Sequence, residues 1–413
     1  MESLLSQTAA VHDVEAERSG VAGLATGKEK SAVLPPRYER VVGHLVGAQP
    51  GPTLICVASV HGNEPAGYHG ARRVLAALAI ATEQLRGSLL VLAGNLKALA
   101  AGRRYLEEDL NRIWLSERLA VLRAGAPPST AEEEELRALD CELRAAVDAA
   151  TGPVFVIDLH TTSAPGPAFV VLNDTLPNRA FALQLPTPVV LGLEEELSGT
   201  LLGYLSTHAD VTSIGFESGQ HDEPAAVDKA AAAIWLALEA SGVVDARDRA
   251  EVQAAHELLA GEGSGLPHMV DVHYRHPVEP GDDFRMLPGF VGFQPVHAGM
   301  ILAYDRNGPV RAPLDGLILM PLYQGQGDDG FFIVRPVRRL WLRLSTLLRR
   351  LHLEGYLHWL PGIRRHPEIP DALLVDRRVA RVLALQLFHL LGFSRVGPGD
   401  GRYLVMRRRA FDR

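Results

Sequence analysis

The chain has 413 residues, 47% of them hydrophobic and 22% charged, with a formal net charge of −8, enough for two or three domains of about 150 residues each. Apolar runs such as Leu89–Ala93 and Val154–Ile157 are strand-length, well short of the roughly 18 to 20 residues a membrane span requires, so no membrane span is expected. Cys56 and Cys141, the two cysteines, are too few for a disulfide framework or a thiolate cluster. With no basic segment leading into an apolar one in Met1–Val33, a cytoplasmic location is expected.

Residues 1–36 read as a flexible leader closed by Pro35-Pro36. Thereafter strand-like runs near Val41–Val46, Leu54–Ser59, Leu89–Ala93, Val154–Asp158, Ala168–Leu172, Pro188–Leu191 and Thr212–Glu217 alternate with helix-like ones near Ala66–Leu85, Glu132–Ala149, Asn178–Leu183 and Ala225–Ala240. This alternation predicts an α/β domain over 37–265, a largely parallel sheet with helices on both faces, in which ligands bind beyond the carboxyl ends of the strands. Ser241–Leu266 reads as helical, ending in the Gly-rich linker Gly261–Gly265. Short β-like runs broken by Gly and Pro then predict a small β domain over 266–335. Its Val310–Gly316 hairpin resembles a lipoyl or biotinyl carrier, without the lysine that would hold a prosthetic group.

Residues 336–413 form an Arg-rich α/β appendage, with amphipathic helices expected around Leu340–Leu351 and Asp376–Leu391 and a turn at Gly397–Gly401 before an apolar strand. From Arg335 onward there are 17 arginines, no lysine and 6 acids, a net +11 that leaves −19 for the rest of the chain. The appendage is thus a different kind of surface, read as a packed unit with a solvated arginine face. That face could dock an anionic partner. It carries no nucleic-acid motif, and nucleic acid is not expected as a partner.

The chemistry-bearing residues stand at strand ends. His61-Gly62-Asn63-Glu64-Pro65 follows one apolar run and Asp158-Leu159-His160-Thr161-Thr162 ends another. Each histidine alone reads as a turn or core residue. Together, a His and a Glu three residues apart and a distant second His make the His₂Glu set that holds a catalytic zinc. Two neutral imidazoles and one carboxylate leave the ion a net positive charge with which to acidify water. Asp158 could accept the other ring N–H of a ligand histidine. Asn111-Arg112, within the charged run Arg103–Arg112, could offer a guanidinium fork beside an amide to a substrate carboxylate. Glu217, in Gly215–His221, would have its charged form disfavoured by partial burial, which suits a proton carrier.

In this order and spacing, the HGNE, RYxxxDLNR, DLHTT and FESGQ motifs resemble the succinylglutamate desuccinylase/aspartoacylase branch of the zinc carboxypeptidase family, over roughly residues 40 to 335 in layout. The resemblance implies a zinc-carboxypeptidase-like fold, one Zn²⁺ per chain on His61, Glu64 and His160, and Glu217 as general base and acid. It also implies that Arg104 polarises the scissile carbonyl, while Asn111 and Arg112 hold the α-carboxylate. Where aspartoacylases carry a further Arg before the catalytic Glu and a Tyr in the β domain, this chain has Thr207-His208 and Phe331-Phe332. The expected function is a zinc-dependent deacylase that hydrolyses the amide of a small N-acylated amino acid. A carboxypeptidase acting on peptides, and a non-catalytic binding module working through its basic tail, are the alternatives. The oligomeric state stays open, a homo-oligomer included.

Overall fold

The computed structural model describes residues 38–80, 82–208, 211–245, 249–351, 357–359, 362–367, 372–376, 393–398 and 403–408. The leader, most of the helix expected around Asp376–Leu391 and the end of the Gly397–Gly401 turn lie outside them. In chain order the first strands are β1 (Val41–Val46), β2 (Gln49–Ala58), β3 (Arg86–Ala93), β4 (Val154–Thr162), β5 (Phe169–Val171), β6 (Val189–Leu191), β7 (Val211–Gln220) and β8 (Met269–Pro277). There follow β9 (Arg285–Met286), β10 (Pro295–Val296), β11 (Ile301–Asp305), β12 (Gly308–Arg311), β13 (Gly316–Leu319) and β14 (Asp329–Pro336). The tail adds β15 (Ile363–Arg365), β16 (Ala372–Asp376), β17 (Phe393–Pro398) and β18 (Tyr403–Arg408).

The helices are α1 (Ala66–Leu78), α2 (Leu96–Ala101), α3 (Ser116–Arg123), α4 (Ala131–Ala149) and α5 (Leu176–Ala182), then α6 (Leu193–Glu196), α7 (Leu201–His208), α8 (Ala225–Ser241), α9 (Ala250–Glu262) and α10 (Arg339–Arg350). None of the described helices is long and apolar enough to cross a membrane.

One sheet of eleven strands runs in the order β1-β3-β2-β4-β7-β5-β6-β8-β14-β13-β10. Its catalytic half is mixed but mostly parallel, with β3, β2, β4 and β7 all parallel neighbours. Period-two alternation along β2 sends Leu54, Cys56 and Ala58 into a core beneath α1, α5, α8 and α9. Ile55 and Val57 enter a second core beneath α3, α4 and α7. Each aliphatic side chain buried this way contributes about 1.5–3 kcal/mol, so the sheet is anchored from both faces.

The expected β domain adds β14, β13 and β10 to the far side of β8 by antiparallel pairing, with β12-β11-β9 as a separate small sheet. Gly242, in the left-handed region at φ +80°, ends α8, and the helical stretch expected over Ser241–Leu266 is realised as α9 from Ala250 to Glu262. The tail's first helix, α10, docks through a guanidinium. Arg349 is 1% exposed and donates to the Asp174 carboxylate at 2.8 Å and its carbonyl at 2.7 Å. That arginine is therefore packed inside, not part of a solvated face.

Candidate active site

Three parallel strands deliver the site at their carboxyl ends. Beyond β2 the chain turns sharply at Ser59, whose φ of +56° is in the left-handed region, and the Ser59 hydroxyl donates to the Glu64 carbonyl at 3.1 Å. Gly62 is required here because a Cβ would lie 2.1 Å from the Ala98 carbonyl carbon. The Gly62 N–H donates to the Arg104 carbonyl at 3.0 Å, tying the two motifs together. His160 and Glu217 lie within β4 and β7 as direct register partners, so both strands run past the ends that hydrophobicity alone assigns them.

The predicted ligands converge. Ligand atoms of His61, Glu64 and His160, all buried, lie within 4.8 Å of one another. His61 Nδ1 is 2.9 Å from Glu64 Oε1, and His160 Nδ1 is 3.0 Å from Glu64 Oε2. The opposite ring nitrogens meet carboxylates: His61 Nε2 is 3.1 Å from Asp109 Oδ1, and His160 Nε2 is 2.9 Å from Asp158 Oδ2. The Asp158 oxygens are not aligned for a hydrogen bond, so this second contact is an ion-pair approach. Two outer partners thus fix which nitrogen of each ring faces inward.

Asp109 was not foreseen from sequence, although its place in the RYxxxDLNR run was a signal. Its Oδ1 takes the Asn111 N–H at 2.8 Å as the cap of the short turn Leu110–Arg112. Its Oδ2 accepts from Arg104 Nε and Nη2 at 3.2 and 3.0 Å. Arg104 Nη1 reaches Glu64 Oε1 at 3.4 Å. Glu132, at the start of α4 and 0% exposed, was missed as well. Its carboxylate accepts the backbone N–H groups of Leu106, Glu107 and Glu108 at 2.7, 3.1 and 3.3 Å and so clamps the loop that carries Arg104.

The electrostatics are those of a cation site. Four buried carboxyl groups, Glu64, Asp109, Asp158 and Glu217, lie around Arg104 and the imidazoles of His61 and His160, and buried carboxylates call for positive partners. Burial alone would raise Glu64, but the charges and hydrogen bonds of His61 and His160 outweigh it and hold the carboxyl well below the usual range. Burial would likewise lower His160, yet Asp158 and Glu64 push it well above an ordinary imidazole. Asp109 is held low by His61 and Arg104 against the same burial penalty. Glu217 differs: burial dominates and lifts it to about 7, and its Oε2 has no hydrogen-bond partner. The donor set, two imidazoles and a carboxylate, therefore fits a divalent ion such as zinc.

A cleft opens in front of these residues. It is roofed by the loop between β13 and β14. There the Tyr323 N–H donates to Ser163 Oγ at 3.0 Å, and Gln324 Oε1 accepts from Asn63 Nδ2 at 2.9 Å and lies 3.1 Å from His221 Nε2. The predicted carboxylate holders line the cleft but are engaged. Asn111 Oδ1 accepts the Leu201 N–H at 2.9 Å, leaving its amide N–H₂ to donate. Arg112 Nη2 donates to Asp329 Oδ2 at 2.7 Å, and Arg275 holds the other Asp329 oxygen at 2.5 Å. Of the aromatic pair, Phe332 lines the cleft, whereas Phe331 stacks on His276 at 5.1 Å. Thr207-His208 close α7, their side chains outside the described residues.

A mixed, mostly parallel sheet thus carries a His-Glu-His cluster at its strand ends. Residues 50–238 match the catalytic domain of the succinylglutamate desuccinylase/aspartoacylase family, as the motifs led us to expect. The succinylglutamate desuccinylase of Serratia proteamaculans is 31% identical over 173 residues, 40% of this chain and 51% of that one. The enzyme of that name from Photorhabdus laumondii is 42% identical over 62 residues, 15% of this chain and 19% of the other. The chain thus spans about half or less of the length of these curated relatives. Among solved structures, a succinylglutamate desuccinylase/aspartoacylase from Rhodobacter sphaeroides superposes with a TM-score of 0.52 at 18% identity, covering 71% of this chain and 88% of that one. The product-bound ectoine utilization protein EutE (DoeB) from Ruegeria pomeroyi gives 0.51 at 20% identity, covering 70% and 87%. At these identities the likeness is one of fold.

Proposed function

We propose that this chain is a zinc-dependent deacylase that hydrolyses the amide of a small N-acylated amino acid. The observation that carries the proposal is Glu217: a buried carboxyl lifted to about 7, with a free oxygen, beside His160 in register and in a cleft shared with Arg104. A group poised near neutral pH can both take and return a proton. His61, Glu64 and His160 would hold the ion, which when bound supplies Lewis acidity and a more acidic water. Glu217 accepts the water proton at Oε2 and delivers it to the nitrogen of the departing amine. Arg104, held by Asp109, donates to the carbonyl oxygen as negative charge develops on it. The Asn111 amide and Arg112 receive the α-carboxylate, with Asp329 sharing the Arg112 guanidinium. The roof contributed by Met320–Asp329 supports a small substrate over a long peptide.

The test is primary-amine release by zinc-loaded protein from N-acetyl and N-succinyl amino acids set beside short peptides. Glu217→Ala is expected to lower kcat by about 100- to 10,000-fold with one zinc still bound per chain. A variant that keeps near wild-type kcat overturns the role of Glu217, and cleavage of peptides alone moves the chain to the carboxypeptidase reading.

A further inference from the structure

The cleft also presents side chains that the proposed reaction leaves without a role. One wall is apolar, formed by Val171, Leu193, Leu202, Met320 and Phe332, four of which belong to one packed cluster with Met320 set against it. Into this wall is set a carboxylic acid. Glu194, at the start of α6, lines the cleft yet is only 9% exposed. Its Oε2 accepts the Thr200 hydroxyl at 2.6 Å, and among the described residues no hydrogen bond reaches Oε1. An acid in such a place costs free energy unless a donor meets it.

The charges around it do not supply that donor. Arg112 is on Asp329 at 2.7 Å, and Arg275 on the same carboxylate at 2.5 Å. With Asp328, which also lines the cleft, and Arg275 behind Asp329, these groups amount to two guanidiniums and three carboxylates. A second carboxylate on the substrate would enter against Glu194, with Arg112 already shared between Asp329 and the α-carboxylate and Arg275 held on Asp329. A side chain with an apolar stem and a cationic tip would lay its methylenes on the wall and place its donors on Oε1.

We propose that Glu194 is a specificity-determining residue, and that the amino acid released here bears an ammonium on a short apolar side chain in preference to a second carboxylate. The inference rests on the deacylase reading for where the amino acid lies, so binding and turnover are measured separately. Calorimetry of the zinc-loaded protein with ornithine, its apolar isostere norleucine, and glutamate reads the pocket without any reaction. Ornithine is expected to bind at least tenfold tighter than the other two. Glu194→Gln, an isosteric change, should bring the ornithine-to-norleucine ratio near one, and retained norleucine binding reports an intact pocket. Glu194→Lys should turn the order toward glutamate. Tightest binding of glutamate or norleucine by the wild type, or a ratio that Glu194→Gln leaves in place, overturns the inference.

The Nα-acetyl derivatives of the three are then assayed for amine release. If the binding order holds and none is cleaved, the deacylase reading fails while the role of Glu194 stands. If cleavage occurs but favours acetylnorleucine or acetylglutamate, the reverse is true.

Discussion

The two ends of the cleft are built on opposite plans. At the metal end His61, Glu64, His160, Arg104 and Asp109 each have at least two partners close at hand: Asp109 alone serves His61, Arg104 and the Asn111 N–H. At the substrate end the parts come from remote segments, Glu194 from α6, Asp329 from β14 and Gln324 from the roof, and each touches its neighbours through one or two bonds. On the proposed reading, chemistry is held by a dense local network, and selection by a sparse long-range one. Changes at the first end should therefore be all-or-none and changes at the second graded.

Glu64→Ala is expected to have the largest effect, removing the group both histidines face. Zinc affinity measured by competition with a chelator should fall on the order of 1,000-fold, beyond the roughly 10–100-fold that loss of a supporting partner costs. A fall of less than tenfold would show the corner to be less integrated than its contacts imply. Next, Glu132→Ala leaves three backbone N–H groups without their acceptor. Urea unfolding should register about 3–4 kcal/mol, with kcat/KM reduced as Arg104 loosens. Glu132→Gln should recover part of both.

A third change probes the same end through pH. Glu217 is raised in the folded chain to about 7 from 4.5, so its penalty on the metal-free protein is absent below pH 4.5, grows across that window and is complete above 7. Glu217→Gln should therefore stabilise the metal-free protein by about 2–3 kcal/mol at pH 8 and by nothing near pH 4.5, as followed by thermal melts at the two pH values. A difference independent of pH would contradict the buried-charge account. The smallest effect is expected at the far end. Gln324→Ala releases the roof from Asn63 and His221 and should raise KM by about 3- to 10-fold with kcat within about twofold. A collapse of kcat instead would tie the roof to the chemistry.

The metal end was legible in the sequence because local spacing encodes it. His61 and Glu64 sit on one turn after an apolar run, and His160 and Glu217 end two others, so parallel pairing alone brings them together. The strand ends were read short because Thr161-Thr162 and Ser218–Gln220 are polar and lack the hydrophobic signature of a strand, although they continue the ladder. Helices α2, α3, α6 and α7, none longer than 8 residues, were missed because two turns give too little periodicity to stand out. The substrate end escaped because nothing near Asp329 in the chain announces a partner 217 residues away at Arg112, and nothing near Glu194 announces a cleft. Only the pairing of β14 with β8 carries Asp329 to Arg112. Asp109 is the intermediate case: the motif contained it, but its double allegiance to His61 and Arg104 is a fact of three dimensions.

The roof hangs between β13 and β14, two strands of the same eleven-stranded sheet whose other half supplies the metal corner. Both ends of the loop are spliced into that frame, while its Gln324 reaches Asn63, between the two proposed ligands His61 and Glu64. On the proposed reading, the architecture thereby couples novelty to inheritance: a loop that shapes substrate range is tied by one hydrogen bond to the corner that carries the chemistry.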